Sequence, residues 1–173
     1  MGDNGEDLAL SRRAARGDSA AFAMLVEKHE RQLRAFLLRT AGADIADDIA
    51  QEAFLKAWRA AGQYDGRARY ATWLTSIAWR CRLDQLRRQR PVPVEEAEAS
   101  VGDSGESAEV ADLLDRLDQR ERAALVLCEG HGWSHSEAAQ LLGMPLGTLK
   151  SMVARAKQKC RQMWLGEKHD ELV

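Results

Sequence analysis

Proline, cysteine and long apolar runs are all scarce in this chain. There are only 3 prolines in 173 residues, and no stretch alternates apolar with polar residues. That leaves little from which to build sheets. Ala and Arg are frequent, so the expectation is helices joined by short loops. The cysteines are Cys81, Cys128 and Cys160. They are odd in number, far apart and contain no CxxC pair, which argues against a disulfide framework and agrees with a reducing compartment. No apolar run is long enough to cross a bilayer. The opening stretch MGDNGEDLAL lacks the basic n-region and apolar h-region of a signal peptide. The expected location is cytoplasmic, with no direct membrane insertion. What is present is 45% hydrophobic and 30% charged residues. This is the composition of a globular chain with one ordinary domain or two small ones.

The formal net charge of -2 conceals strong segregation. Between Arg67 and Arg90 the bases are Arg67, Arg69, Arg80, Arg82, Arg87, Arg88 and Arg90, against the single acid Asp84. Between Lys150 and Arg161 lie Lys150, Arg155, Lys157, Lys159 and Arg161, with no acid. The intervening PVPVEEAEASVGDSGESAEVAD carries Glu95, Glu96, Glu98, Asp103, Glu106, Glu109 and Asp112, and no base. Two basic modules joined by an acidic, Gly/Ser/Pro-containing linker account for this layout.

Apolar periodicity supports an all-α fold. Phe22, Leu25, Val26, His29, Leu33, Phe36 and Leu37 recur at helical spacing, after a Gly17-Asp18 break and cap and before a Gly42 stop. A shorter helix is expected over Asp7 to Arg16. Ile45, Ile49, Ala53 and Ala57 form one stripe, widened by Phe54 and Trp58. From Thr72 to Arg88 there are two stripes: Leu74, Ile77, Ala78 and Cys81, and Trp79, Leu83 and Leu86. A helix apolar on two sides is usually central in a bundle. Residues 1–90 therefore read as one helical bundle, 91–108 as a flexible linker and 109–173 as a second, smaller bundle. Val110, Leu113, Leu114 and Leu117 open the second bundle, and Ala123, Ala124, Leu125 and Leu127 continue it.

The stretch SHSEAAQLLGMPLGTLKSMVARAKQKCR carries the sharpest local signal. Ser134 and Glu137 have the spacing of a capping box, and Trp133 can staple onto Ala138. Gly143 supplies a left-handed residue to end the helix, and Pro145 can start the next one without losing a hydrogen bond. In the second helix Leu149, Val153, Ala156, Cys160 and Met163 are expected to face the core. Thr148, Ser151, Arg155 and Lys159 line the outer face, with Lys150 and Lys157 beside it. Hydroxyls and bases on the leading turns, behind a tight turn, suit a helix-turn-helix entering the major groove. Bases neutralise phosphates, while Gly147 and the short polar side chains allow close approach to base edges.

These motifs resemble the extracytoplasmic-function (ECF) sigma factors, sigma-70 family group IV. GWSHSEAAQLLGMPLGTLKSMVARAKQKCR is similar to their region 4, ADIADDIAQEAFLKAWRA to region 2.2, and YDGRARYATWLTSIAWRCRLDQLRR to regions 2.3 and 2.4. The resemblance covers nearly the whole chain, in order. It implies a sigma region 2 bundle and a sigma region 4 helix-turn-helix. It also implies an alternative sigma factor that binds core RNA polymerase and directs promoter-specific initiation, held inactive by an anti-sigma factor. Asp48, Gln51, Glu52 and Leu55, spaced i, i+3, i+4 and i+7, fall where the family grips the clamp helices of the largest polymerase subunit. Region 4 would lie on the flap of the second-largest subunit. The loop Gln63 to Ala71 matches the minus-ten recognition loop, where a non-template base is flipped out of the stack. Tyr64 and Tyr70 would stack on single-stranded DNA, and Asp65, Arg67, Arg69, Arg80 and Arg87 complete the minus-ten set. Trp73 is expected to pack in the core instead. The minus-thirty-five set is Gly147, Thr148, Lys150, Ser151, Met152, Arg155 and Lys159. Two positions depart from the family pattern, Arg80 replacing a common Asn and Met152 a common Arg.

Other chemistry is less well served. Asp48 and Glu52 have no nucleophile or His partner, so no catalytic residue and no enzyme activity are expected. Cys128, His131 and His135 have a C-x2-H-x3-H spacing, but a fourth ligand would have to be Glu129, Glu137 or water, and His135 sits inside the capping turn. No metal or other cofactor is expected. Two rival functions use the same motifs. A stand-alone helix-turn-helix regulator would have no use for the Asp48/Glu52 face. A sigma-mimic interaction module would have no use for the basic faces.

Overall fold

The computed structural model describes residues 3–89 and 108–170. Every regular element among them is helical. The linker expected at 91–108 lies outside the described residues except for Ala108. The described residues fall into two compact units. The first takes in the helices before residue 90, apart from the stretch Leu38–Gly42. The second takes in that stretch and the helices from Ala108 onward.

The first unit contains α1 (Asp3–Ala14), α2 (Ser19–Ala41) as far as Leu37, α3 (Ala43–Arg59), a 3-10 turn (Ala61–Gln63) and α4 (Tyr70–Gln89). The helix expected over Asp7 to Arg16 starts four residues earlier and stops two earlier. It ends in a turn in which the Arg16 and Gly17 N–H groups reach back to the carbonyls of Arg13 and Ala14. Asp18 then caps α2, its Oδ1 accepting the Ala21 N–H at 3.0 Å. That bond first, and then the Arg13 guanidinium, hold the Asp18 carboxyl below the usual carboxylate range.

The stripes read from the sequence form this core. Leu25, Leu33, Phe36 and Leu37 of α2, Ile49, Ala53 and Ala57 of α3, and Leu74, Ala78 and Cys81 of α4 are buried. Each large side chain removed from water contributes roughly 1.5–3 kcal/mol. Phe22 meets Trp58 edge-on at 4.9 Å between centroids, and Phe36 packs on Trp79 at 6.3 Å. The second stripe of α4 is fully buried only at Trp79; Leu83 and Leu86 are half-buried. One ion cluster lies inside: Asp7 is buried, with Lys28 Nζ at 2.8 Å and His29 Nε2 at 3.1 Å.

The second unit contains α5 (Ala108–Asp115), α6 (Gln119–Leu125), α7 (His135–Leu142) and α8 (Leu146–Asp170). Asp118 caps α6 through the N–H groups of Arg120 and Glu121. α6 runs on into a single π turn, Val126–Gly130, which the sequence did not announce. Leu113, Leu117, Ala123, Ala124, Leu127, Ala138, Leu142, Leu149, Val153 and Ala156 form the core. Val110, expected to open the bundle, is exposed, while Leu114 and Leu125 are half-buried. After the π turn the Trp133 N–H bonds the Leu127 carbonyl at 3.0 Å, and the Trp133 ring is buried.

Candidate functional site

On α3 the buried side is Ala46, Ile49, Ala53 and Ala57. The positions between them form the opposite face. Asp48 and Gln51 are exposed there, and Leu55 is 58% exposed, high for a leucine. Glu52 is half-buried and takes an i,i+4 bond from Lys56 Nζ at 2.8 Å, which raises the lysine above its ordinary value. The result is an acidic stripe with one uncovered apolar side chain.

The loop between the 3-10 turn and α4 is built differently from expectation. Tyr64 and Tyr70 are buried, at 4% and 1% exposure. Their rings meet edge-on at 5.1 Å, and each lies 5.4 Å from Trp73. His29 adds a fourth ring, 5.0 Å from Tyr70. Burial first, then the charge of Asp7, pushes the Tyr64 phenol up to about 12; the same causes push Tyr70 further in the same direction. The expectation that these two rings stack on bases is therefore corrected. Both rings are buried against neighbouring aromatics, and the tyrosines hold the loop from inside. Trp73 packs with them, as expected. The side chains that the loop presents outward are Asp65, Arg67 and Arg69. Asp65 accepts the Arg67 N–H at 3.0 Å and pairs with its Nε at 3.2 Å. Arg80 is exposed on α4, and Arg87 is exposed with Asp84 3.5 Å away.

Sequence reasoning missed what supports this loop. Asn4 Nδ2 donates to the Gly66 carbonyl at 2.7 Å. The Tyr64 hydroxyl lies 2.6 Å from Asn4 Oδ1 and 2.8 Å from the Ala68 carbonyl, sharing its proton between them. Asn4 stands in a polar leader beside a glycine, and nothing in its local sequence marks it.

The helix-turn-helix is as the sequence indicates. Ser134 Oγ accepts the Glu137 N–H at 3.2 Å, and Glu137 Oε2 accepts the Ser134 N–H at 2.9 Å. Gly143 has φ 64 and ψ 40, the left-handed conformation that favours glycine. The Met144 N–H then bonds the Ala139 carbonyl at 3.0 Å. Pro145 sits one residue earlier than a first helical position: its carbonyl accepts the Leu149 N–H at 3.0 Å, and α8 begins at Leu146. Leu149, Val153 and Ala156 face the core; Cys160 and Met163 are half-buried.

On the outer side Gly147, Thr148, Lys150, Ser151 and Arg155 are exposed and Met152 is half-buried. Ser151 Oγ donates to the Gly147 carbonyl at 3.0 Å, leaving its lone pairs outward. A Cβ at Gly147 would meet nothing within 4 Å, so that surface is open. Lys159 departs from expectation. Its Nζ lies 2.7 and 2.8 Å from the two carboxylate oxygens of Glu121, whose side chain is buried. Lys157 Nζ likewise reaches Glu129 Oε2 at 3.0 Å. Lys159 is therefore a structural cation that neutralises an interior carboxylate. Lys150 and Arg155 remain as the outward bases of the leading turns.

Residues 25–92 match the family model Sigma-70 region 2, and residues 107–160 match Sigma-70, region 4. The chain is 35% identical over 175 residues to the RNA polymerase sigma-H factor of Pseudomonas aeruginosa, covering 88% of this chain and 91% of that protein. It is 34% identical over 154 residues to the ECF RNA polymerase sigma factor SigM of Mycobacterium tuberculosis, covering 85% and 79%. The chain belongs to the ECF sigma factors. As a sigma factor it acts with core RNA polymerase in promoter-specific transcription initiation. Among solved structures the sigma factor is similar to CnrH in complex with the cytosolic domain of CnrY, with TM-score 0.69, 28% identity, and 93% and 98% of the two chains covered. It shares the fold of the sigma factor RpoE in complex with the anti-sigma factor NepR from Bartonella quintana, with TM-score 0.69, 24% identity, and 83% and 96% covered. No helix among the described residues is long and apolar enough to cross a membrane.

Proposed function

We propose that this ECF sigma factor joins core polymerase through Asp48, Gln51, Glu52 and Leu55. The α3 face is acidic, exposed and punctuated by an uncovered leucine, which suits the clamp helices of the largest subunit if those are basic with an apolar notch. The exposed Asp65, Arg67 and Arg69 of the loop, with Arg80 and Arg87 of α4, contact the opened minus-ten element. Gly147, Thr148, Lys150, Ser151, Met152 and Arg155 read the minus-thirty-five element, with region 4 lying on the flap of the second-largest subunit. The observation that carries this assignment is the coexistence of two unlike exposed surfaces in one chain: the acidic α3 stripe and the basic, hydroxyl-bearing start of α8. A stand-alone DNA-binding regulator needs only the second.

An anti-sigma protein holds the free chain inactive by covering the α3 face. The support is the likeness to CnrH, whose solved structure is a complex with the cytosolic domain of CnrY.

Run-off transcription with purified core polymerase tests the whole reading: transcripts from a cognate promoter are expected only when the chain is added. Reversing Asp48 and Glu52 to Lys is expected to remove core binding and leave the fold intact. Losing a charged partner at such an interface costs roughly 2–5 kcal/mol. Unchanged core affinity in a pull-down removes α3 from the interface.

A further inference from the structure

One face of α1 runs along the proposed minus-ten loop. Asn4, Leu8, Ser11 and Ala15 are spaced i, i+4, i+7 and i+11, so they share a side of the helix and the turn that ends it. Each meets the segment from Ala61 to Gly66. Ser11 Oγ donates to the Ala61 carbonyl at 2.9 Å, in a buried bond. The Ala15 methyl lies 3.7 Å from where a Cβ on Gly62 would sit. Leu8 Cδ2 lies 2.9 Å from the Cβ position of Gly66, whose φ of +77 is left-handed. Asn4 closes the series, donating to the Gly66 carbonyl and accepting from the Tyr64 hydroxyl.

The neighbouring side of α1 is tied to α2. The buried Asp7 carboxylate holds Lys28 Nζ at 2.8 Å and His29 Nε2 at 3.1 Å. His29 in turn lies against Tyr70, the first residue after the loop. α1 thus connects the loop to the bundle on both flanks. Residues 25–92, which match the region 2 model, do not include it.

We propose that α1 is a strut that sets the conformation of the 64–68 loop, with Asn4 as its positioning residue. This rests on reading the loop as the one that contacts the opened minus-ten element. The carbonyls of Gly66 and Ala68 flank the backbone of Arg67, and both are held by the Asn4–Tyr64 pair. Holding them fixes the directions in which Arg67 and Arg69 leave the chain. Without the strut, the loop must become ordered when DNA binds, and binding weakens by the cost of that ordering.

The test uses the full chain with Asn4→Ala, which removes the bonds to Gly66 and Tyr64, and with Tyr64→Phe as a second variant, which keeps the ring and removes the bonds to Asn4 and Ala68. Amide exchange over residues 64–69 of the free protein is expected to rise about tenfold in both, the loss of one to two net hydrogen bonds. In holoenzyme, affinity for a single-stranded non-template minus-ten oligonucleotide is expected to fall about five- to tenfold. Core binding and affinity for the minus-thirty-five duplex stay unchanged, a split that general destabilisation does not give. Arg67→Ala and Arg69→Ala are the controls for the loop itself. Unchanged loop exchange in both variants overturns the strut. Raised exchange with unchanged oligonucleotide affinity, while the arginine variants weaken binding, also overturns it and leaves the minus-ten reading standing. If the arginine variants do not weaken binding either, the minus-ten reading fails and takes the proposal with it.

Discussion

Lys159→Ala tests whether the basic side of α8 is one surface or two. Glu121 lies in the first turn of α6, where the helix dipole favours a carboxylate, and its side chain is 6% exposed. Lys159 reaches both of its oxygens, at 2.7 and 2.8 Å, and is itself half exposed. An exposed ion pair contributes ~0–1 kcal/mol, and removing one partner of a fully buried pair costs ~3–5 kcal/mol. This pair is dry at one end and wet at the other, so truncation should cost about 2 kcal/mol of stability. Adding Glu121→Gln removes the stranded charge, and the double variant should recover about half of that loss. Denaturant unfolding of the full chain measures both. Promoter binding measured across salt concentrations supplies the second half of the test. Each phosphate contact contributes roughly one unit to the slope of log affinity against log salt. A structural Lys159 leaves that slope unchanged in the double variant. Unchanged stability of Lys159→Ala, together with a slope lower by about one, would refute the structural assignment and return Lys159 to the DNA surface.

Lys150→Ala and Arg155→Ala should each lower the salt slope of minus-thirty-five binding by about one with little change in base preference. Ser151→Ala should instead alter preference among bases, as seen in a binding-site selection. Alkaline titration addresses the tyrosine core. A phenol whose folded value is raised contributes stability that is complete below the unfolded value near 10 and is lost as pH climbs through about 12. Phenolate absorbance at pH 10 should therefore be nearly absent in the native protein and should appear with unfolding. A half-ionised native spectrum at that pH would place the tyrosines in solvent. In the helix-turn-helix, Ser134→Ala should cost about 1 kcal/mol and Gly143→Ala about 1–2 kcal/mol by denaturant unfolding.

The parts of the molecule that were legible in the sequence are those whose causes are local. Ser134, Glu137 and Gly143 determine the turn within ten positions, by a capping exchange and one left-handed residue. The α3 stripe was legible because a 3.6-residue period separates Ile49 and Ala53 from Asp48 and Leu55 without reference to the rest of the chain. Tyr64 and Tyr70 were misread because their residue type serves base stacking and core packing equally well. The choice was made by His29, which lies on another helix, together with Trp73. Lys159 sits in a run of bases, and only the fold brings it to Glu121, 38 positions away. The early start of α1 was hidden for a similar reason. Asn4-Gly5 is a poor helix opening by propensity, and tertiary bonds to the loop override it. The π turn depends on an i+5 bond, His131 N–H to Val126 carbonyl, for which single residues give no signal.

α8 keeps its folding positions and its exposed positions in separate registers. Leu149, Val153 and Ala156 anchor the helix, and the capping box and Gly143 fix its angle of approach from outside it. Thr148, Lys150, Ser151 and Arg155 project from the remaining sides and are exposed. Exchanging such surface residues changes stability by only about 0.5 kcal/mol in either direction. Drift at these sites is therefore nearly invisible to selection for a folded chain, and under the proposed minus-thirty-five reading it is fully visible to selection for the right genes. On that reading a duplicated copy can acquire a new set of targets without passing through an unfolded ancestor. Met152 is the exception: it is half-buried, so a change there alters packing as well as the proposed reading surface.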